Sequence, residues 1–139
     1  MKTKMSPGQF RSVEKKPCIL VVDDDEDNLV LMTYITQSLN CKLMMAKEGD
    51  GAFSLAKQSQ PDLIVVEMVL EGISLIDRLK QDRLTQAIPI IAVTELAFSK
   101  EGDKNITPTG CELYLRKPYL LEELEAAFRQ VLNSKLDPT

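Results

Sequence analysis

A fold of alternating strands and helices, with a parallel sheet covered on both faces, is predicted by three features of this sequence. Short apolar runs recur at residues 18–22, 63–66 and 89–93. The first two are followed by stretches whose apolar residues return at helical spacing. Each also stops abruptly at a polar group: Asp23-Asp24, Glu67 or Thr94. Continuous apolar runs, rather than alternating ones, are what strands buried on both faces need. Strands separated by helices then give a parallel sheet with right-handed crossovers.

The elements follow in order. Residues 1–16 hold Pro7, Gly8 and mostly polar neighbours without a period, and are read as a flexible basic arm. Pro17 introduces the first strand. The first helix carries Leu29, Met32, Ile35 and Leu39 on one face, with Asp25 to Asp27 at its positive N-terminal end. Residues 42–46 form a second strand, and residues 49–58 a helix with Ala52, Leu55 and Ala56 together. Pro61-Asp62 stops that helix and opens the third strand. Gly72 begins the next helix, with Leu75, Ile76 and Leu79 inward. The fourth strand is 89–93 and the fifth is 113–116, closed by Lys117-Pro118. A last helix from near Leu120 packs Leu121, Leu124, Phe128 and Val131. Between Val93 and Leu113 the residues Gly102, Asn105, Thr107, Pro108 and Gly110 disfavour a helix, so a short or irregular segment is expected there. One domain over 17–135 is therefore expected, with a tail at 136–139 and no output domain after it.

Composition narrows the function. The chain of 139 residues is 44% apolar and 27% charged, ordinary for one globular domain. No run approaches the roughly 18 apolar residues of a membrane span. Nor is there an apolar segment near the N-terminus to make a secretory signal, so a cytoplasmic protein is expected. The cysteines Cys18, Cys41 and Cys111 are odd in number and scattered, as free thiols would be. The sequence contains no histidine. Serine–histidine and cysteine–histidine catalysis, a histidine phosphocarrier and histidine-ligated metals are therefore excluded. Residues 1–16 carry five basic side chains against Glu14, a net +4, while the whole chain is −4, which leaves −8 on the body. An acidic body argues against DNA as a partner. The arm is a solvated tail or touches an acidic partner.

In an open parallel sheet, ligands sit beyond the carboxyl ends of the strands. Those ends here present Asp23 and Asp24, Glu67, Thr94 and Lys117. Clustered carboxylates repel unless a cation neutralises them, and Mg²⁺ suits an all-oxygen site. A lysine and a hydroxyl beside them would stabilise a phosphoryl group. The constellation suits Mg²⁺-assisted transfer of phosphate to a carboxylate.

The segments Ile19-Leu20-Val21-Val22-Asp23-Asp24-Asp25 and Asp27-Asn28-Leu29 open a longer pattern. Pro61-Asp62-Leu63-Ile64-Val65-Val66, Ile88-Pro89-Ile90-Ile91 with Thr94, and Tyr114-Leu115-Arg116-Lys117-Pro118 complete it. In this order and spacing they resemble the receiver domain of response regulators in two-component phosphorelay signalling, over about residues 17–135. The resemblance implies a flavodoxin-like five-stranded sheet of order 2-1-3-4-5. It implies Mg²⁺ held by Asp23, Asp24, the residue at position 67 and the backbone carbonyl of Val69. Thr94 becomes the switch hydroxyl and Lys117 the phosphate-binding lysine, with a cis bond to Pro118. Tyr114 is either the aromatic switch residue or an ordinary strand tyrosine. Partners would be a sensor kinase or a downstream effector, met near residues 93–132, and a homodimer is admissible. A receiver of this kind is not an enzyme.

Four departures bear on the chemistry. The family has aspartate where this chain has Glu67, whose carboxylate reaches roughly 1.5 Å further, one carbon–carbon bond. Displacement on that scale costs on the order of 100-fold in a positioned reaction. Glu67 to Gly72 is five steps where the family usually has eight, so the loop after the acceptor strand is short. Glu95 stands where a small residue is usual. The fourth helix has poor helix formers. A phosphorylation-independent pseudo-receiver is therefore expected, with Mg²⁺ bound weakly or not at all. The alternative is a Mg²⁺-dependent phospho-acceptor using the residual acidic site.

Rival readings fail on particular residues. An EF-hand loop starting at Asp23 would need glycine where Asn28 stands and glutamate where Tyr34 stands. A phosphatase with an aspartyl-phosphate intermediate would need a capping domain for which the chain is too short. Dinucleotide binding lacks any Gly-x-Gly-x-x-Gly.

Overall fold

The computed structural model describes residues 16–68, 70–95 and 110–136. Within them the elements run β1 (Cys18–Val22), α1 (Glu26–Ser38), β2 (Lys42–Ala46), α2 (Gly49–Ser59), β3 (Leu63–Glu67), α3 (Leu70–Gln81), β4 (Ile90–Thr94), β5 (Leu113–Arg116) and α4 (Leu121–Leu132). A 3₁₀ turn, Asn133–Lys135, follows. The sheet is five-stranded and parallel, in the order β2-β1-β3-β4-β5. This is the architecture expected from the sequence.

The period of two along each strand splits the core into two layers. Ile19 and Val21, Leu63 and Val65, and Ile91 and Val93 face α1 and α4, where Met32, Ile35, Leu124 and Phe128 cover them. Leu20 and Val22, Ile64 and Val66, and Ile90 and Ala92 face α2 and α3, where Ala52, Ala56, Leu75, Ile76 and Leu79 cover them. Both faces of the central strands are dry, which is why their sequences read as unbroken apolar runs. Among the described residues no buried side-chain nitrogen or oxygen lacks a hydrogen-bond partner.

Helix starts follow capping chemistry. Asp25 caps α1 by accepting the Asp27 N–H at 2.9 Å. Glu48 caps α2 by accepting the Gly51 N–H at 3.1 Å. The Leu120 N–H donates to Glu123 Oε1 at 2.7 Å, closing the first turn of α4.

Some boundaries differ from the sequence expectation. Helix α3 starts at Leu70 rather than Gly72, because the short loop after β3 leads straight into it. Strand β4 is shifted by one residue and includes Thr94, whose carbonyl accepts the Lys117 N–H at 2.7 Å. Leu121 does not pack inward: it is 37% exposed, and Ala127 and Leu132 fill that face of α4 instead. The basic arm, apart from Lys16, and the irregular segment expected between Val93 and Leu113 lie largely outside the described residues.

Candidate functional site

The site lies where β1, β3, β4 and β5 end. Parallel pairing aligns Glu67 with Val93 and Thr94 with Arg116, so the residues after each strand share one edge. The backbone bond from Met68 N–H to the Val93 carbonyl, 2.6 Å, fixes the end of β3 against β4. That between Lys117 and Thr94 does the same for β5. The Lys117–Pro118 peptide is cis, as the resemblance implies.

Asp23 is 7% exposed and held on both oxygens. Its Oδ1 accepts the Asp25 N–H at 2.9 Å, and its Oδ2 accepts the side-chain amide of Asn28 at 3.0 Å. Its own N–H donates to the Ala46 carbonyl at 3.0 Å. Asp24, by contrast, is exposed. Thr94 is fully buried at the end of β4.

Glu67 reaches Lys117 directly, with Oε1 2.9 Å from Nζ. Both side chains are about four-fifths covered, at 19% and 20% exposure. Burial pushes the Glu67 carboxyl above the ordinary glutamate value. The bond and charge of Lys117 oppose that rise without cancelling it, and Asp23 and Glu95 add to it. For Lys117, burial disfavours the ammonium, but the bond to Glu67 and the charges of Glu67 and Asp23 outweigh it and raise its pKa. The two shifts are not mirror images. The lysine's shift reports the attraction, while the glutamate's reports the water it has lost. Burial likewise raises the Tyr119 phenol beside them, helped by Glu67 and Asp23 and opposed by Lys117.

The structure thus brings Glu67 and Lys117 together and places Asp23 nearby. It does not converge Asp23, Asp24 and Glu67 into a cage: among the described residues, no three such side chains could hold a metal ion. The donor chemistry explains this. One carboxylate is committed to Lys117, the second to Asn28 and a backbone N–H, and the third points to solvent. Val69 is outside the described residues. Tyr114 sits on β5, 39% exposed, and shares a hydrogen bond with Cys111. Burial pushes the Cys111 thiol up to about 11 and the Tyr114 phenol up to about 12.

Asn28 was not among the residues singled out by chemistry. Its signal was available: an amide in the first turn of the helix that follows the acidic strand end faces back toward that end.

Comparison with known proteins agrees with this layout. The response regulator receiver domain family matches residues 19–129. The polar-differentiation response regulator DivK of Brucella ovis is 34% identical over 104 residues, covering 72% of this chain and 83% of that protein. A putative response regulator from Chloroflexus aurantiacus superposes with a TM-score of 0.72 at 25% identity, covering 86% of this chain and 99% of that one. The receiver domain of the sensor histidine kinase PA1611 from Pseudomonas aeruginosa superposes with a TM-score of 0.71 at 24% identity, covering 86% and 99%. That structure has a magnesium ion coordinated in its active-site cleft. Family match, relatives and strand order agree: this chain belongs to the response regulator receiver domain family of two-component signalling.

Proposed function

We propose that this receiver works as a phosphorylation-independent protein-interaction module. The observation that carries the reading is the 2.9 Å contact between Glu67 and Lys117. The longer side chain at position 67 spans the crevice and takes the lysine that a receiver would otherwise offer to phosphate. The negative charge of the acceptor is neutralised from within, and the crevice is held in one state. Glu95, at its edge, adds charge that opposes an incoming phosphate. Sensor kinases or effectors would be met as a fixed shape, through the surface near residues 93–132.

The side chains as arranged do not fit a Mg²⁺ cage of Asp23, Asp24, Glu67 and the Val69 carbonyl: among the described residues no three acidic side chains are grouped to hold a metal ion, and one oxygen of Glu67 is already engaged by Lys117. A second reading, a Mg²⁺-dependent phospho-acceptor, is favoured by one observation only: Asp23 is already oriented by Asn28 and the Asp25 N–H, as a metal ligand would need to be.

The test is incubation with Mg²⁺ and acetyl phosphate, followed by intact mass. The wild type is expected to gain nothing, and the gain of roughly 80 Da from a phosphoryl group would overturn the reading. The Glu67→Asp variant, run alongside, shows whether the rest of the crevice can still react.

A further inference from the structure

A cavity of about 560 Å³ opens beside Lys117, lined by Asn28, Leu31, Glu95, Lys117, Pro118 and Tyr119. It lies between α1 and the connection from β5 to α4. Its volume is in the range of sites that hold a ligand. One wall is apolar: Leu31 and Tyr119 pack against the core cluster under α1 and α4, and Pro118 stands between Lys117 and Tyr119.

The other wall is rich in acceptors. Pairing sets Thr94 opposite Arg116, and the Lys117 N–H bonds to the Thr94 carbonyl, so Glu95 and Lys117 are neighbours across the strand ends. Lys117 passes that neighbour by and bonds Glu67 on β3 instead, at 2.9 Å. Glu95 is exposed, and among the described residues no ion pair engages it. Asn28 turns its side-chain nitrogen to Asp23, which leaves its oxygen as an acceptor. The charges are unbalanced in the same sense. Three carboxylates, Asp23, Glu67 and Glu95, act on one another around a single ammonium. Asp27, one turn before Leu31 on the same side of α1, is exposed and makes the approach acidic too.

Such a cavity suits a cation with many donors and an apolar body. A guanidinium carries five N–H donors on one plane, stacks on aromatic faces and hangs on a hydrocarbon stem. An ammonium is a strongly hydrated point charge and gains less from the apolar wall. We propose that this cavity receives an arginine side chain of a protein partner, its guanidinium donating to Glu95 and the Asn28 oxygen and its stem lying against Leu31, Pro118 and Tyr119. Glu95, one of the departures from the family pattern, then selects the partner. The inference rests on the interaction-module reading above and names the chemistry that the module recognises.

Capped tripeptides with arginine, lysine or citrulline between two leucines, titrated into the full chain and followed by amide NMR, test it. Citrulline keeps the shape of arginine without its charge. The arginine peptide is expected to move the amide resonances of residues 28, 31, 95 and 119. The lysine peptide should bind several-fold more weakly, and the citrulline peptide should leave the resonances in place. Glu95→Gln should weaken the arginine peptide about tenfold, the loss of one charge-assisted hydrogen bond. Asp77→Asn makes the same charge change at an exposed position of α3, on the other face of the sheet, and should leave the affinity unchanged. The proposal is overturned if the shifts are absent or scattered over acids elsewhere. It is also overturned if lysine or citrulline binds as well as arginine, or if the two variants behave alike. The acetyl phosphate experiment keeps the two readings apart. A phosphoryl gain with arginine binding intact overturns phosphorylation independence alone, whereas no gain and no arginine binding overturns the cavity assignment alone.

Discussion

Glu67 and Lys117, fifty residues apart in sequence, form an ion pair of 2.9 Å across the ends of β3 and β5. Neither side chain needs the other for its backbone position, since the strand ladder sets both. The pair therefore reports on the charge of the crevice rather than on the fold. Replacing Lys117 with Met should leave Glu67 largely covered and without its lysine partner. The cost should be about 1–2 kcal/mol at neutral pH, below the value for a fully buried pair because the site is partly open. Urea unfolding at pH 7 and pH 5 checks the figure. The Glu67 carboxyl is already pushed above its ordinary value by burial, and losing Lys117 raises it further. The protonated form is then favoured in the fold, so the variant's deficit should shrink as pH falls.

Asn28 orients Asp23 by a 3.0 Å bond from its side-chain amide. Asn28→Ala should cost roughly 1.5–3 kcal/mol, the worth of one such bond to a buried carboxylate. Thermal unfolding reads the cost. The backbone N–H of Asp25 still holds the other oxygen, so the amide resonances of β1 should stay in place while those at 23 and 24 move.

Cys111 carries a pH dependence of its own. Its thiol ionises at about 11 in the fold, against an ordinary 9.0, because burial disfavours the thiolate. A raised pKa means the folded state holds its proton longer than the unfolded chain. The associated stability is complete below about pH 9 and is lost as pH rises toward 11. Alkylation of native Cys111 should be slow at pH 8 and rise about tenfold per pH unit up to its pKa. Mapping of iodoacetamide adducts across pH measures this. Rapid labelling at pH 8 would contradict it.

Gly110 precedes β5 with φ +94°, and a Cβ there would meet Lys80 Cγ at 3.0 Å. The lysine tail can move aside, but the backbone conformation cannot be relaxed so readily. Gly110→Ala should therefore cost about 1–2 kcal/mol, read as a lowered urea midpoint with an unchanged slope.

Much of this was legible in the sequence for a simple reason. Strands buried on both faces announce themselves as unbroken apolar runs, and the residues after them define the site. Residues 42–46 and 113–116 are strands as read, and Asp25 caps its helix as its position suggests. The helix after β3 was less legible at its start, because the shortened loop leaves no turn residue to mark it. Leu121 was misread because helical spacing alone cannot tell a core-facing leucine from one at the edge of the apolar stripe. The stacking of Arg78 and Lys57 on Phe53, with Arg78 paired to Asp50 at 2.8 Å, was invisible for another reason. It joins two helices whose relative placement only the packed sheet defines. The Glu67–Lys117 bond lies between these cases. Its partners could be named from the strand ends, but Mg²⁺ and Lys117 competed for Glu67 until the geometry was known.

That competition is the most direct point of measurement. The side-chain ammonium of Lys117 and the carboxyl carbon of Glu67 can be followed together by NMR while Mg²⁺ is titrated into the full chain. If the crevice is neutralised from within, both resonances should hold their positions through millimolar Mg²⁺, with the ammonium protons slow to exchange. A joint shift of the two, with the ammonium released to solvent as Mg²⁺ is added, would contradict a crevice closed by its own lysine.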